Sequence, residues 1–240
     1  MGASIALIVP AYNESALVLP FVDCLRLNNL AESFSEVIFV DDGSQDETWR
    51  NLELAIRSLS NVRAVRHQAN RGLGVAIRTG VIEASSKEVC WMPIDQSFDL
   101  AELAAEITRA NRPQVLLFRR LLRNEPAREM ISFLAHLAFR WLFGCDVRHQ
   151  SGIFVVERSL FLENMPISRR AIANLEFITR LHRVTTSIEH VNVRCYPRIS
   201  GRSRIFSLGT VLGSVRELIG LIALDPHLLK RRSPHLPESS

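Results

Sequence analysis

The first 120 residues alternate short β-branched runs with stretches of helical apolar spacing, and few folds accommodate that rhythm. "SIALIVP" at 4–10, "EVIFVDD" at 36–42, "VRAVRH" at 62–67, "EVCWMP" at 88–93 and "QVLLF" at 114–118 read as buried strands. Residues 14–30, 46–60, 72–85 and 100–111 read as helices between them. Leu52, Leu54, Ile56 and Leu59 illustrate the spacing. This alternation predicts an α/β fold with a parallel sheet and helices on both faces. Ligands of such sheets bind beyond the carboxyl ends of the strands, so those ends carry the functional information.

Strand one ends in "VPAYNE", strand two in "VDDGSQDET" and strand four in "PID", while "NRGLGVAIRTG" follows strand three. Asp41 and Asp42 can accept hydrogen bonds from a base N–H and a ribose hydroxyl. The same pair also suits a cap beside a turn. Gly43 permits a tight turn, and Asp46 is expected to N-cap the next helix, with Trp49 and Leu52 opening its buried face. Arg71 can neutralise a diphosphate, and Gly72 lets the backbone approach a ligand. Gly74 and Gly80 weaken their helix, which points to close packing there. Asp95 ends the fourth apolar run. Asp99, with Glu102 three places on, reads as a capping box for the following helix.

After residue 120 the pattern changes. Residues 126–143 read as a long amphipathic helix, "GIFVVER" at 152–158 as a strand running into a turn, 171–183 as a helix and "SIEHVNVRCYP" as a last strand. The formal net charge is +4, and the excess base is clustered. Arginines gather at 119, 120, 123 and 128, then at 194, 198, 202 and 204, before Lys230-Arg231-Arg232. Such clusters suit phosphate, anionic lipid or nucleic acid, or simply a solvated surface. Cys24, Cys90, Cys145 and Cys195 form no CxxC pair and read as the buried thiols of a reduced protein. The first residues lack a secretory pattern. No apolar run reaches the ~18 residues of a membrane span. Residues 205–224 read as an amphipathic helix suited to an anionic membrane or to the core, and 229–240 as a disordered tail.

Taken together, "VPAYNE", "VDDGS", "NRGLGVAIRTG" and "PID" resemble family 2 glycosyltransferases of the GT-A fold. Within that family, the likeness is to dolichol-phosphate mannose synthases and bacterial polyprenyl-phosphate relatives, and it covers roughly residues 4–204. The resemblance implies a Rossmann-like mixed, mostly parallel sheet flanked by helices on both faces. A donor half would span 1–118 and an acceptor half 119–204, with the amphipathic helix at 205–228. Pro10, Ala11, Tyr12, Glu14, Asp41, Asp42, Asn70, Arg71 and Gly72 would line the nucleotide pocket. Asp95 matches the last acid of the family's DxD signature, and would bind the Mg²⁺ or Mn²⁺ that bridges the donor diphosphate. Pro93 stands where the first acid is usual. His149 stands where the family places an acid after Val-Arg. Glu176 matches a helix glutamate of the family, and "YPRISGRSR" at 196–204 matches its R-x-x-G-x-S-K/R element. Arg198, Arg202, Ser203 and Arg204, with Arg119, would hold the acceptor phosphate.

The implied activity is inverting transfer of a sugar from a UDP- or GDP-sugar to a polyprenyl phosphate. It would take place at the cytoplasmic face of the membrane, with peripheral membrane contact and no nucleic-acid partner. Two alternatives stay open: a transferase with a soluble hydroxyl acceptor, and a catalytically weak nucleotide-sugar-binding subunit. A homo-oligomer or a membrane partner subunit is compatible with each.

Overall fold

Every residue of β1 (Ile5–Ala11) is buried, as a central strand covered on both faces requires. The computed structural model describes residues 4–27, 30–95, 100–109, 113–120, 133, 136–137, 139–145, 150–170, 172–194 and 208–228. Six further strands complete the sheet: β2 (Glu36–Asp41), β3 (Val62–Arg66), β4 (Glu88–Trp91), β5 (Val115–Arg120), β6 (Gln150–Glu157) and β7 (Ile188–Val193). Their order is β3-β2-β1-β4-β6-β5-β7. β6 pairs antiparallel with β4 and β5, and the other pairings are parallel. The sheet is therefore mixed and mostly parallel, and the C-terminal ends of β1 to β5 and β7 share one edge.

Strand alternation divides the core. Ile5, Leu7 and Val9 face the layer of α1 (Ser15–Leu27), α2 (Thr48–Ala55) and α4 (Leu100–Thr108). Ala6 and Ile8 face α3 (Leu73–Glu83), α5 (Arg158–Glu163), α6 (Ile172–Val184) and α7 (Leu208–Leu224). On the first side Phe21 meets Phe39 edge-on at 5.7 Å. On the second, Phe161 and Phe177 lie 4.6 Å apart beside Phe154. Pro10 stands past the last β1–β4 pair, Ile8↔Trp91, where a missing N–H is tolerated.

Gly80 brings α3 directly onto β1, because a Cβ there would overlap the Ile8 side chain. The sequence expectation of close packing holds at this position. Gly80→Ala should destabilise the chain by about 1–3 kcal/mol through overpacking, although alanine is the better helix former. Chemical denaturation measures this, and a stabilised variant would contradict the packing described.

Several local expectations shift. Helix 46–60 starts at Thr48, ends at Ala55 and tightens into a 3-10 turn over Ile56–Ser58. Glu47, not Asp46, occupies its N-cap position, without a side-chain cap bond. Leu54 points outward at 51% exposure, since the helix buries Leu52 and Ala55. The segment after β6 is not a turn but helix α5. Of the expected helix 126–143, positions 133, 136–137 and 139–143 are helical, and the remainder lies outside the described residues. α7 buries Leu221 yet leaves Val215, Ile219 and Leu224 exposed. No helix among the described residues is long and apolar enough to cross a membrane.

Candidate functional site

The loops after β1 and β2 are zipped together at the C-terminal edge. The Asp42 N–H donates to the Ala11 carbonyl at 2.8 Å. Asn13, at φ 52°, donates its N–H to Ser44 Oγ at 2.9 Å and accepts from the Gln45 N–H at 2.8 Å. The Glu14 N–H donates to Thr48 Oγ1 at 2.8 Å. Asp46 serves both helices here: Oδ1 accepts from the Thr48 N–H and hydroxyl, and Oδ2 from the Ser15 N–H. Although burial pushes upward, these bonds hold the Asp46 carboxyl below its usual range. Asp46 therefore braces the start of both α1 and α2, a wider role than the expected N-cap.

The two acids ending β2 are buried and put to different uses. Asp41 Oδ1 accepts from the Ser44 N–H at 3.0 Å. Its Oδ2 lies 3.1 Å from Arg66 Nε, an ion pair without hydrogen-bond geometry. Arg66 also stacks over Trp49 at 5.4 Å. Asp42 turns the other way. Its Oδ1 accepts from the Arg71 N–H at 2.9 Å and from His67 Nδ1 at 2.8 Å, and its Oδ2 from the Gly72 N–H at 2.8 Å. One carboxylate thus fastens the β2 end to the Asn70-Arg71-Gly72 turn that opens α3. Gly43 lies so close to Ala69 and Asn70 that no side chain fits between them.

His67 was not singled out in the sequence. It is buried, with Nε2 on Thr79 Oγ1 at 2.9 Å. A polar residue just past the carboxyl end of a strand was the available signal. Since Asp42 accepts, Nδ1 carries the proton.

Asp95 lies three residues beyond the Met92 N–H, which bonds the Ile8 carbonyl at 3.0 Å. It is 6% exposed. Among the described residues, no group of three or more His, Cys, Asp or Glu side chains stands together as a metal cage. The described residues therefore offer no resident all-protein metal site. Asp95 does fit a Mg²⁺-type ion that takes one carboxylate and completes its shell from ligand phosphates and water.

Glu176 is fully buried on α6. Its oxygens accept from the Ile167 N–H at 2.8 Å, the Ser168 N–H at 2.9 Å and Arg180 Nε at 2.9 Å. It thereby anchors segment 166–170. The same segment receives Arg78, which donates to the Pro166 and Ser168 carbonyls. Burial lowers the Arg78 pKa. Glu176 opposes that shift, and the like charges of Arg169 and Arg71 reinforce it.

Arg119 lies near the C-terminal end of β5, beside Asn192 of β7. Its Nε is buried without a hydrogen-bond partner among the described residues. Glu102 accepts from the Arg194 N–H and Nε at 3.3 Å. Its expected capping partner Asp99 lies outside the described residues, as do His149, Arg198, Arg202, Ser203 and Arg204. β7 ends at the edge that carries Asp42 and Asp95. The structure thus brings the β1, β2 and Asn70–Gly72 loops together, with Asp95 in the turn that follows β4, the strand next to β1. Glu176 lies in the interior and reaches this edge only through segment 166–170, whose Arg169 carbonyl packs on Gly72 and Gly74.

A mixed sheet with helices on both faces and acids at adjoining strand ends defines a GT-A-type α/β fold. Glucosyl-3-phosphoglycerate synthase from Mycobacterium tuberculosis, solved with Mg²⁺ and UDP, superposes with a TM-score of 0.68 at 19% identity. That superposition covers 91% of this chain and 79% of that one. The same enzyme with Mn²⁺ and UDP-glucose gives 0.68 at 21% identity, covering 92% and 79%.

The profile of glycosyl transferase family 2 matches residues 6–153, and the chain belongs to this family. The UDP-N-acetylglucosamine–dolichyl-phosphate N-acetylglucosaminyltransferase of Methanococcus voltae is 36% identical over 92 residues, 33% of this chain and 35% of that protein. The dolichol-phosphate mannosyltransferase of Saccharomyces cerevisiae is 32% identical over 97 residues, 40% and 36% of the two chains. These matches span about a third of the curated relatives' length.

Proposed function

We propose that this chain is an inverting glycosyltransferase that moves a sugar from a UDP- or GDP-sugar to a polyprenyl phosphate. The observation that carries the reading is the meeting of Asp42, the Arg71–Gly72 turn and the Asp95 strand end at one sheet edge, in a family 2 chain. In this reading Pro10, Ala11, Tyr12, Glu14, Asp41 and Asp42 shape the nucleotide pocket, and Arg71 faces the diphosphate. Asp95 would hold a Mg²⁺ or Mn²⁺ that, when bound, neutralises charge on the departing nucleoside diphosphate.

A phosphate monoester oxygen attacks the anomeric carbon as the carbon–oxygen bond to the diphosphate breaks, and the nucleoside diphosphate leaves. With a second pKa of ~6, that phosphate is largely dianionic at neutral pH, so it needs positioning rather than a strong base. Arg119, Arg198, Arg202, Ser203 and Arg204 supply that positioning, with Glu176 holding the neighbouring layer. Relatives named for dolichyl phosphate support the lipid acceptor. The exposed Val215, Ile219 and Leu224 of α7 support peripheral contact at the cytoplasmic membrane face.

A second reading keeps the donor and replaces the lipid with a soluble acceptor. A glucosyl-3-phosphoglycerate synthase solved with phosphoglyceric acid, a fold neighbour at 17% identity, favours it. Both readings are tested by incubating the purified chain with a UDP- and GDP-sugar panel, Mg²⁺ or Mn²⁺, and either polyprenyl phosphate or phosphoglycerate. Label on the lipid, lost with chelator, is the expected result. Label on phosphoglycerate alone moves the assignment to the second reading. Donor binding without any transfer would leave a nucleotide-sugar-binding subunit.

A further inference from the structure

The donor turn is held from behind by a residue of the C-terminal helix. Glu217 on α7 accepts from the Arg169 N–H through Oε1 at 3.1 Å, and from the Arg170 N–H through Oε1 and Oε2, each at 3.2 Å. The Arg169 carbonyl accepts from the Gly74 N–H at 2.7 Å. The carbonyl of Arg169 and the N–H of Arg170 belong to one planar peptide unit, and in a trans peptide they point in opposite directions. That unit therefore bridges Glu217 on one side and the first turn of α3 on the other. Gly72, at φ 96°, packs on the same carbonyl. A Cβ at position 72 would come within 2.5 Å of it. The Arg71 and Gly72 N–H groups in turn bond Asp42.

We propose that Glu217 is a positioning residue for donor binding: it fixes the Arg169–Arg170 peptide plane, and that plane fixes the Arg71–Gly72 turn. This rests on the donor-site reading above. Among the described residues, segment 166–170 has two other charged anchors, Glu176 and Arg78, but these bind residues 166–168. Arg78 stands on α3 itself and holds the Ser168 carbonyl, which packs against Gly74; Glu217 is the one of the three that binds the Arg169–Arg170 peptide unit, whose carbonyl takes the Gly74 N–H. Without it, the plane is free to rotate, the Gly74 bond loosens, and Arg71 loses its fixed approach to a diphosphate. A hydrogen bond to a charged acceptor also polarises the peptide and strengthens the carbonyl as an acceptor for Gly74.

The test is calorimetric titration of the full chain with UDP and with GDP, together with hydrogen exchange over residues 70–76. Glu217→Ala is expected to weaken the nucleotide that binds by about tenfold and to raise exchange over 70–76. Glu217→Gln keeps one carbonyl acceptor and should show a smaller loss in both measurements. Arg216→Ala, exposed on the same helix, should match the wild type. If Glu217→Ala does not fold, Glu217→Gln still reads out in both measurements, and no change in either overturns the proposal. Wild-type binding that Glu217→Ala leaves intact overturns the inference alone. Failure of the wild type to bind either nucleotide overturns the donor-site reading and the inference with it.

Discussion

Asp95→Ala is expected to lower transfer by about 10²–10³-fold, the scale seen when one group that stabilises developing charge is removed. Circular dichroism should stay unchanged. The argument starts from the backbone. β4 is pinned between β1 and β6, and its last parallel contact is the Met92 N–H on the Ile8 carbonyl. Pro93 then fixes φ near −65° and adds no donor, and buried Ile94 anchors the turn. Asp95 is thus carried in the turn that follows β4, held from behind by the buried Met92 and Ile94. With Pro93 in the position of a first acid, no neighbouring carboxylate of that signature can take over. The loss should therefore be deeper than in a two-acid site, and Asp95→Asn should share most of it. Initial rates at saturating donor measure the effect. Full activity in Asp95→Ala would remove Asp95 from the site.

The sheet edge that carries the candidate site was legible from sequence because its signals are local. β-branched runs end at Pro10, Asp42, His67 and Asp95, and side-chain chemistry at a strand end stays there whatever the rest of the chain does. The strand order was not legible. β6 inserts between β4 and β5 and runs against both, and direction in a sheet is set by the path of the chain through space. Asp42 shows a finer limit. Its position at the edge was readable, but its commitment to Arg71, Gly72 and His67 depends on residues 25–30 places away. Glu217 carries no local signal of its role, because its partners lie 47 and 48 places upstream. Leu54 failed for the opposite reason: apolar spacing continued past the face that α1 and the sheet could cover.

Glu176→Ala carries the largest expected loss of stability. The carboxylate is fully buried and satisfies two backbone N–H groups of segment 166–170 and the Arg180 guanidinium. Removing it leaves the buried Ser168 N–H and the part-buried Ile167 N–H without their acceptor. Arg180 is affected less, since Asp225 remains 2.9 Å away. Breaking a buried ionic and hydrogen-bonded group in this way costs about 3–5 kcal/mol. For a chain of this size that corresponds to a Tm fall of roughly 10 °C. Glu163→Ala, exposed at the end of α5, is the control and should stay within about 0.5 kcal/mol of wild type. Because Glu176 anchors the segment that presents Arg169 to Gly72 and Gly74, the variant should also bind nucleoside diphosphate more weakly below its melting point. Thermal unfolding and titration at 20 °C separate the two effects. A Tm within about 2 °C of wild type, less than 1 kcal/mol at this chain length, would mean that the segment keeps its place without the buried carboxylate.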